Sequence, residues 1–166
     1  MTMPTPADIE TLDSSASQSI FLPDEAATAR LGALIAAGLR AGDVIYLEGD
    51  LGAGKSSLAR GLIRALTTSG QDVPSPTFTL LQTYDTPDFP LLHLDLYRLR
   101  SPEEAYELGL DEACPPAVLV IEWPDRLAHL GFDDRLHIVL EHAHGCEGRL
   151  ARLTPVGRYR EDTSSN

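Results

Sequence analysis

The string GDLGAGKS, Gly49 to Ser56, constrains this chain more than any other stretch of it. It fits the pattern G-x-x-x-x-G-K-[ST] at every fixed position. It also lies where one periodicity gives way to another. Asp43 to Glu48 (DVIYLE) reads as a strand, and Ser56 to Leu66 (SSLARGLIRAL) reads as a helix. Strand, glycine-rich turn and helix in this order open an α/β sheet with parallel strands. Lys55 is the only lysine in the chain, and the other basic side chains are all arginines.

The residue types follow from anion chemistry. Gly49, Gly52 and Gly54 let the backbone bend so that successive N–H groups of Asp50, Leu51 and Ala53 can point inward. The loop feeds a helix N-terminus, which favours negative charge. Lys55 is a compact charge on a flexible stem, suited to β- and γ-phosphate oxygens, where a planar arginine fork would fill the space differently. Ser56 offers a small hydroxyl to Mg²⁺. A bare glycine turn is the bland alternative. The pattern and its context favour a nucleoside triphosphate with Mg²⁺.

Composition sets the bounds. At 166 residues a single domain is expected, and a hydrophobic share of 43% suits a globular core. Residues 1–19, rich in Pro, Ser, Thr and Asp, read as a flexible tail without the features of a signal peptide. No apolar run approaches the ~20 residues that span a bilayer, so no membrane role is expected. Cys114 and Cys146 form no C-x-x-C motif, and reduced thiols in the cytoplasm are the simplest reading. The net charge of −12 disfavours strong direct binding to nucleic acid. Arg149, Arg152, Arg158 and Arg160 are a local exception, interrupted by acids and read as a solvated face.

Along the chain, Pro23 to Arg40 reads as an amphipathic helix with an acidic first turn. Gly70 to Thr77 is an ordered loop. Phe78 to Tyr84 and Leu91 to Tyr97 read as two strands of an antiparallel hairpin around Asp85 to Pro90. Ser101-Pro102-Glu103-Glu104 has the form of a capping box, opening a helix that ends near Gly109. Ala117 to Ile121 (AVLVI) reads as a buried central strand. Arg135 to Glu141 and Leu150 to Thr154 read as the last strands. The expected fold is a mostly parallel central sheet with an added antiparallel hairpin, flanked by helices.

A phosphate loop needs a carboxylate at the end of a neighbouring strand. Glu122 ends the most apolar strand, and Asp95 ends the run LLHL. One acid would serve Mg²⁺ and the other would orient water; the residues alone do not say which does which. Ser75-Pro76-Thr77 follows one helix and one loop after Lys55, where switch loops carry a threonine to metal and γ-phosphate. A rigid turn is the alternative. His142, His144 and Cys146 lack the spacing of a zinc motif and read as a polar loop. Arg98 has the character of an arginine finger, a salt bridge or a partner contact.

GDLGAGKS, SPTFTLLQTY, HLDLYRL and IEWP, in that order, resemble the TsaE family, the small ATPase of bacterial threonylcarbamoyladenosine biosynthesis. The resemblance runs from Pro23 to Leu153. It implies one P-loop ATPase domain, placed at residues 20–158, with a C-terminal tail at residues 159–166. It also implies ATP or ADP with Mg²⁺, and hydrolysis in support of the TsaB–TsaD complex. That complex modifies the adenosine beside the tRNA anticodon, so tRNA is contacted only indirectly. By the resemblance, Gly49 to Ser57 hold the phosphates, with Ser56 on Mg²⁺. Asp95 and Glu122 match the metal and catalytic acids, Thr77 the switch threonine, and Trp123 a tryptophan near the nucleotide. Glu25 and Thr28 match the part of the family near the adenine.

Two other functions compete. A small kinase acting on a nucleotide or metabolite needs an acceptor pocket and usually an arginine-bearing lid, and no long Arg-rich insertion lies between the capped helix and Glu122. A GTPase commonly reads guanine with an Asn/Thr-Lys-x-Asp motif. Here Lys55 is the sole lysine and Asn166 the sole asparagine, which argues strongly against that site.

Overall fold

A computed structural model describes residues 3–160. Its strands are β1 Gln18–Leu22, β2 Val44–Glu48, β3 Leu81–Asp85, β4 Pro90–Asp95, β5 Val118–Glu122, β6 Arg135–His142 and β7 Arg149–Val156. Its helices are α1 Glu25–Ala37, α2 Lys55–Leu66, α3 Pro102–Glu107 and α4 Leu110–Ala113. One sheet holds all these strands in the order β1-β7-β6-β2-β5-β4-β3. The central block β6-β2-β5-β4 is parallel. β3 adds antiparallel to β4, as the expected hairpin. At the opposite edge β7 and then β1 also add antiparallel, which the sequence reading did not anticipate.

Both faces of the central strands are buried, which explains their continuous apolar runs. Ile45 and Leu47 of β2 join Val118 and Val120 of β5 in the core beneath α1 and α2. Val44, Tyr46, Leu119 and Ile121 point the other way, into a second core with Ala105 and Leu110. The helices α1 and α2 meet backbone to backbone. A Cβ on Gly61 would lie 2.7 Å from Ala29 Cα, and one on Gly32 would lie 2.7 Å from Leu62 N. Only glycine allows that approach.

Several boundaries differ from the sequence expectation. Helix α1 begins two residues later than Pro23, because Asp24 caps it: its Oδ1 accepts from Ala27 N at 2.8 Å. Strand β3 begins at Leu81 rather than Phe78. Leu80 N donates to Pro76 O at 2.7 Å and closes a turn, leaving Phe78 exposed. Ser101 sits at the cap of α3, but its side chain makes no capping bond.

Parts of the segment expected as a flexible tail over residues 1–19 make contacts with the domain. Pro6–Asp8 form a 3-10 turn, Phe21 N donates to Pro4 O at 2.9 Å, and Ile9 and Leu12 pack on the core. The reason is non-local: β1 finds its partner in β7, far along the chain. At the other end Tyr159 is buried and the Arg160 guanidinium holds the Asp43 carboxylate at 2.6 Å. The rest of the tail expected at 159–166 lies outside the described residues. No helix among the described residues is long and apolar enough to cross a membrane.

Candidate functional site

The loop after β2 turns on glycines with positive φ. Gly52 has φ 80° and Gly54, at the cap of α2, has φ 105°. Ala53 is buried beneath the turn while Leu51 stands exposed at its crown. Lys55 folds back over the loop: its Nζ donates to the carbonyl oxygens of Gly49 and of Asp50, the latter at 3.1 Å. The same ammonium stands over the Trp123 ring. Burial pushes the Lys55 pKa below its ordinary value, while the carboxylates of Glu122 and Asp95 oppose the shift.

Asp95 and Glu122 are register partners at the carboxyl ends of β4 and β5. Both are buried, and both are held. The Asp95 carboxylate accepts from Thr77 Oγ1 at 3.2 Å and from Tyr97 N at 3.0 Å. Ser75 Oγ lies 2.7 Å from Thr77 Oγ1, so Thr77 accepts from Ser75 while donating to Asp95. Glu122 faces the loop instead. Its Oε1 accepts from Ser56 Oγ at 3.4 Å, and its Oε2 lies 2.6 Å from His93 Nε2. The two acids are thus distinguished by neighbours: Glu122 by Ser56, Asp95 by Thr77. The cause is strand order, since β5 adjoins β2 and β4 lies one strand further out.

A cavity of about 360 Å³ gathers these groups: Lys55, Ser56, Thr77, Asp95, Glu122 and Trp123 all line it. At its other end Ser57 Oγ donates to Glu25 Oε1 at 3.0 Å. Thr28 is not brought into the cavity. It is fully buried, its hydroxyl donates to Asp24 O at 3.3 Å, and its methyl packs toward Gly54. Arg98 also stays outside, stacked over the exposed Phe78 ring at 4.5 Å. A larger cavity of about 400 Å³ lies elsewhere, around Tyr46 and His137, and none of the loop residues lines it.

Two residues were missed in the sequence, one lining the cavity and one behind it. Arg149, read as part of a solvated face, lines the cavity and donates from Nη2 to Gly52 O at 2.8 Å. It reaches the loop only because β7 places it opposite Leu22 and His142, a position with no local signal. His93 did leave a signal. It is a polar residue in the apolar run LLHLDL, two positions before Asp95 and therefore on the same face.

The whole arrangement has recognisable relatives. A family model described as "Threonylcarbamoyl adenosine biosynthesis protein TsaE" matches residues 22–150. The chain belongs to the TsaE family. Among curated TsaE proteins, each described as "tRNA threonylcarbamoyladenosine biosynthesis protein TsaE", that of Rickettsia felis is 43% identical over 122 residues, covering 74% of this chain and 71% of its own. The TsaE protein of a Nostoc species is 42% identical over 142 residues, covering 82% and 85%. The crystal structure of Bacillus subtilis YdiB superposes with a TM-score of 0.70 at 29% identity, covering 88% of this chain and 90% of that one. The TsaE match takes in the loop, both acids and the start of β7 with Arg149.

Proposed function

We propose that this chain binds ATP with Mg²⁺ in the cavity over Gly49 to Ser57 and hydrolyses it in support of threonylcarbamoyladenosine formation on tRNA. One observation carries the reading: a lysine-bearing glycine loop and two buried strand-end carboxylates line a single cavity. The pathway comes from the curated TsaE relatives. The net charge of −12 favours a protein partner over direct contact with tRNA. That partner is the TsaB–TsaD complex, in the cytoplasm. Residues 101–122 contain no arginine to form a kinase lid, which leaves hydrolysis ahead of transfer to an acceptor.

The donor set suits a hard divalent cation. Ser56 Oγ and Glu122 Oε1 are adjacent oxygens, and oxygen ligands are what Mg²⁺ prefers. When bound, the ion neutralises charge on the β- and γ-phosphates. The chain supplies the rest. The backbone N–H groups of the loop cradle the phosphates. Lys55 leaves its own loop carbonyls and donates to phosphate oxygens instead. Asp95, fixed by Thr77 and Tyr97, keeps lone pairs free to accept a proton from water and orient it. Trp123 and the switch segment around Thr77 limit solvent access.

The test is ATP turnover by the purified chain, alone and with TsaB and TsaD. Turnover should be slow alone and rise with the complex. A chain that neither binds the complex nor changes its rate would overturn the assignment. Lys55→Ala should abolish ADP binding, and retained affinity would remove the phosphate-loop reading.

A further inference from the structure

We propose that His93 is a positioning residue for Glu122, fixing the carboxylate so that its free oxygen faces Ser56 and the metal. This rests on the functional reading above, and it adds a residue that does not touch the cavity. His93 lies in β4 opposite Val120, in the same layer as Leu91 and Val118. An imidazole in such surroundings is costly unless hydrogen-bonded. It has a single side-chain partner. Nε2 lies 2.6 Å from Glu122 Oε2, and Nδ1 meets no protein group. The side chains of both residues are nearly inaccessible, at 1% and 3%.

The chemistry of the pair assigns the hydrogen. An ionised carboxylate only accepts, so Nε2 carries the N–H and donates. A bond this short to a carboxylate is charge-assisted and directional. Tethering Oε2 removes the rotation of the carboxyl group. Oε1 is then left toward Ser56 Oγ, at 3.4 Å. Without His93, Oε2 would be buried with no donor and the group would turn to find one. His93 is therefore placed as the outer partner of a metal-binding carboxylate, a role that commonly changes metal affinity or activity by about 10–100-fold.

The alternative is a histidine that merely fills the core, and two variants of the full chain separate the cases. His93→Leu keeps the bulk and loses the donor; His93→Gln keeps an amide N–H near the Nε2 position. Mn²⁺ affinity of the ADP complex is measured by electron paramagnetic resonance, alongside metal-free ADP affinity and ATP turnover with TsaB and TsaD. In His93→Leu, Mn²⁺ affinity and turnover should each fall about tenfold or more, with metal-free ADP affinity changed less than about threefold. His93→Gln should recover most of both losses. Unchanged Mn²⁺ affinity in His93→Leu overturns the proposal, as does a His93→Gln variant no better than His93→Leu. Should His93→Leu fail to fold, His93→Gln and the imidazole spectrum decide. With ¹⁵N-labelled histidine, Nε2 should carry a downfield proton that moves upfield in Glu122→Gln. A proton on Nδ1 alone would overturn the pairing. If the wild-type chain with its partners hydrolyses no ATP, the functional proposal fails, while Mn²⁺ binding and the imidazole spectrum still decide on His93.

Discussion

Lys55 Nζ stands 4.1 Å from the centroid of the Trp123 ring. The indole also packs on Tyr97, whose ring centroid lies 4.9 Å away at an interplanar angle of 49°. Trp123 itself has φ 59° and ψ 52°, the left-handed turn that aims its ring over the loop. It is the single tryptophan of the chain, so tryptophan emission reports this one place. On the proposed reading, a bound nucleotide draws Lys55 away from Gly49 O and Asp50 O, which moves a cation relative to the ring. Saturating ADP should therefore shift the tryptophan emission, and Lys55→Met should shift it without nucleotide. An emission spectrum unchanged by both would contradict this account of the loop.

Glu122→Gln and Asp95→Asn should separate chemistry from binding. Each keeps the shape of the side chain and removes the charge. Turnover with the partner complex should fall about 100-fold or more for either variant. ADP affinity without metal should change less than about threefold. Asp95→Asn also weakens the hold on Thr77, whose hydroxyl donates to that carboxylate. Equal losses in rate and metal-free affinity would mean that neither residue acts in the chemical step.

The contact between α1 and α2 offers a test of packing. Gly61→Ala places a methyl against the Ala29 backbone, and such overpacking costs about 1–3 kcal/mol. Part of the loss is offset by about 1 kcal/mol of gained helix propensity. Gly70→Ala is the control, since a Cβ there would meet nothing within 4 Å. Urea denaturation should show a lower midpoint for the first variant and little change for the second.

The lowered pKa of Lys55 has a signed consequence for stability. Desolvation is its cause, so the folded chain disfavours the ammonium. Between the lowered folded value and the ordinary lysine value, the unfolded chain holds more protons. Stability contributed through this residue therefore rises with pH across that alkaline interval and is least favourable below it. The stability difference between wild type and Lys55→Met should move toward the wild type as pH rises there. A difference that is flat with pH would place the ammonium in a solvated position.

Much of the centre was legible because its signals are local. The glycine loop, the apolar run of β5 and the hairpin β3–β4 each announce themselves within about ten residues of sequence. Asp95 and Glu122 could be placed at strand ends for the same reason. The outer half of the sheet was not legible. β1 looks like part of a polar tail until β7 is set beside it, and Arg149 looks solvated until β7 carries it to Gly52. Thr28 misled in the opposite direction. Its place in α1 is near the loop, but the helix phase turns it inward to full burial. Pairing between distant strands is a tertiary choice, and local pattern does not encode it.

The hairpin β3–β4 brings the Thr77 segment and Asp95 together at its base. Thr77 lies just before one leg and Asp95 at the end of the other, and their side chains are bonded at 3.2 Å. Asp95 N also donates to Leu80 O at 3.1 Å, which ties the two legs at the base. The far tip, with Asp85, Pro87 and Asp88 exposed, is open to contact. From that tip both legs run back toward Thr77 and Asp95. The tip and the cavity wall are thus the two ends of one paired ribbon.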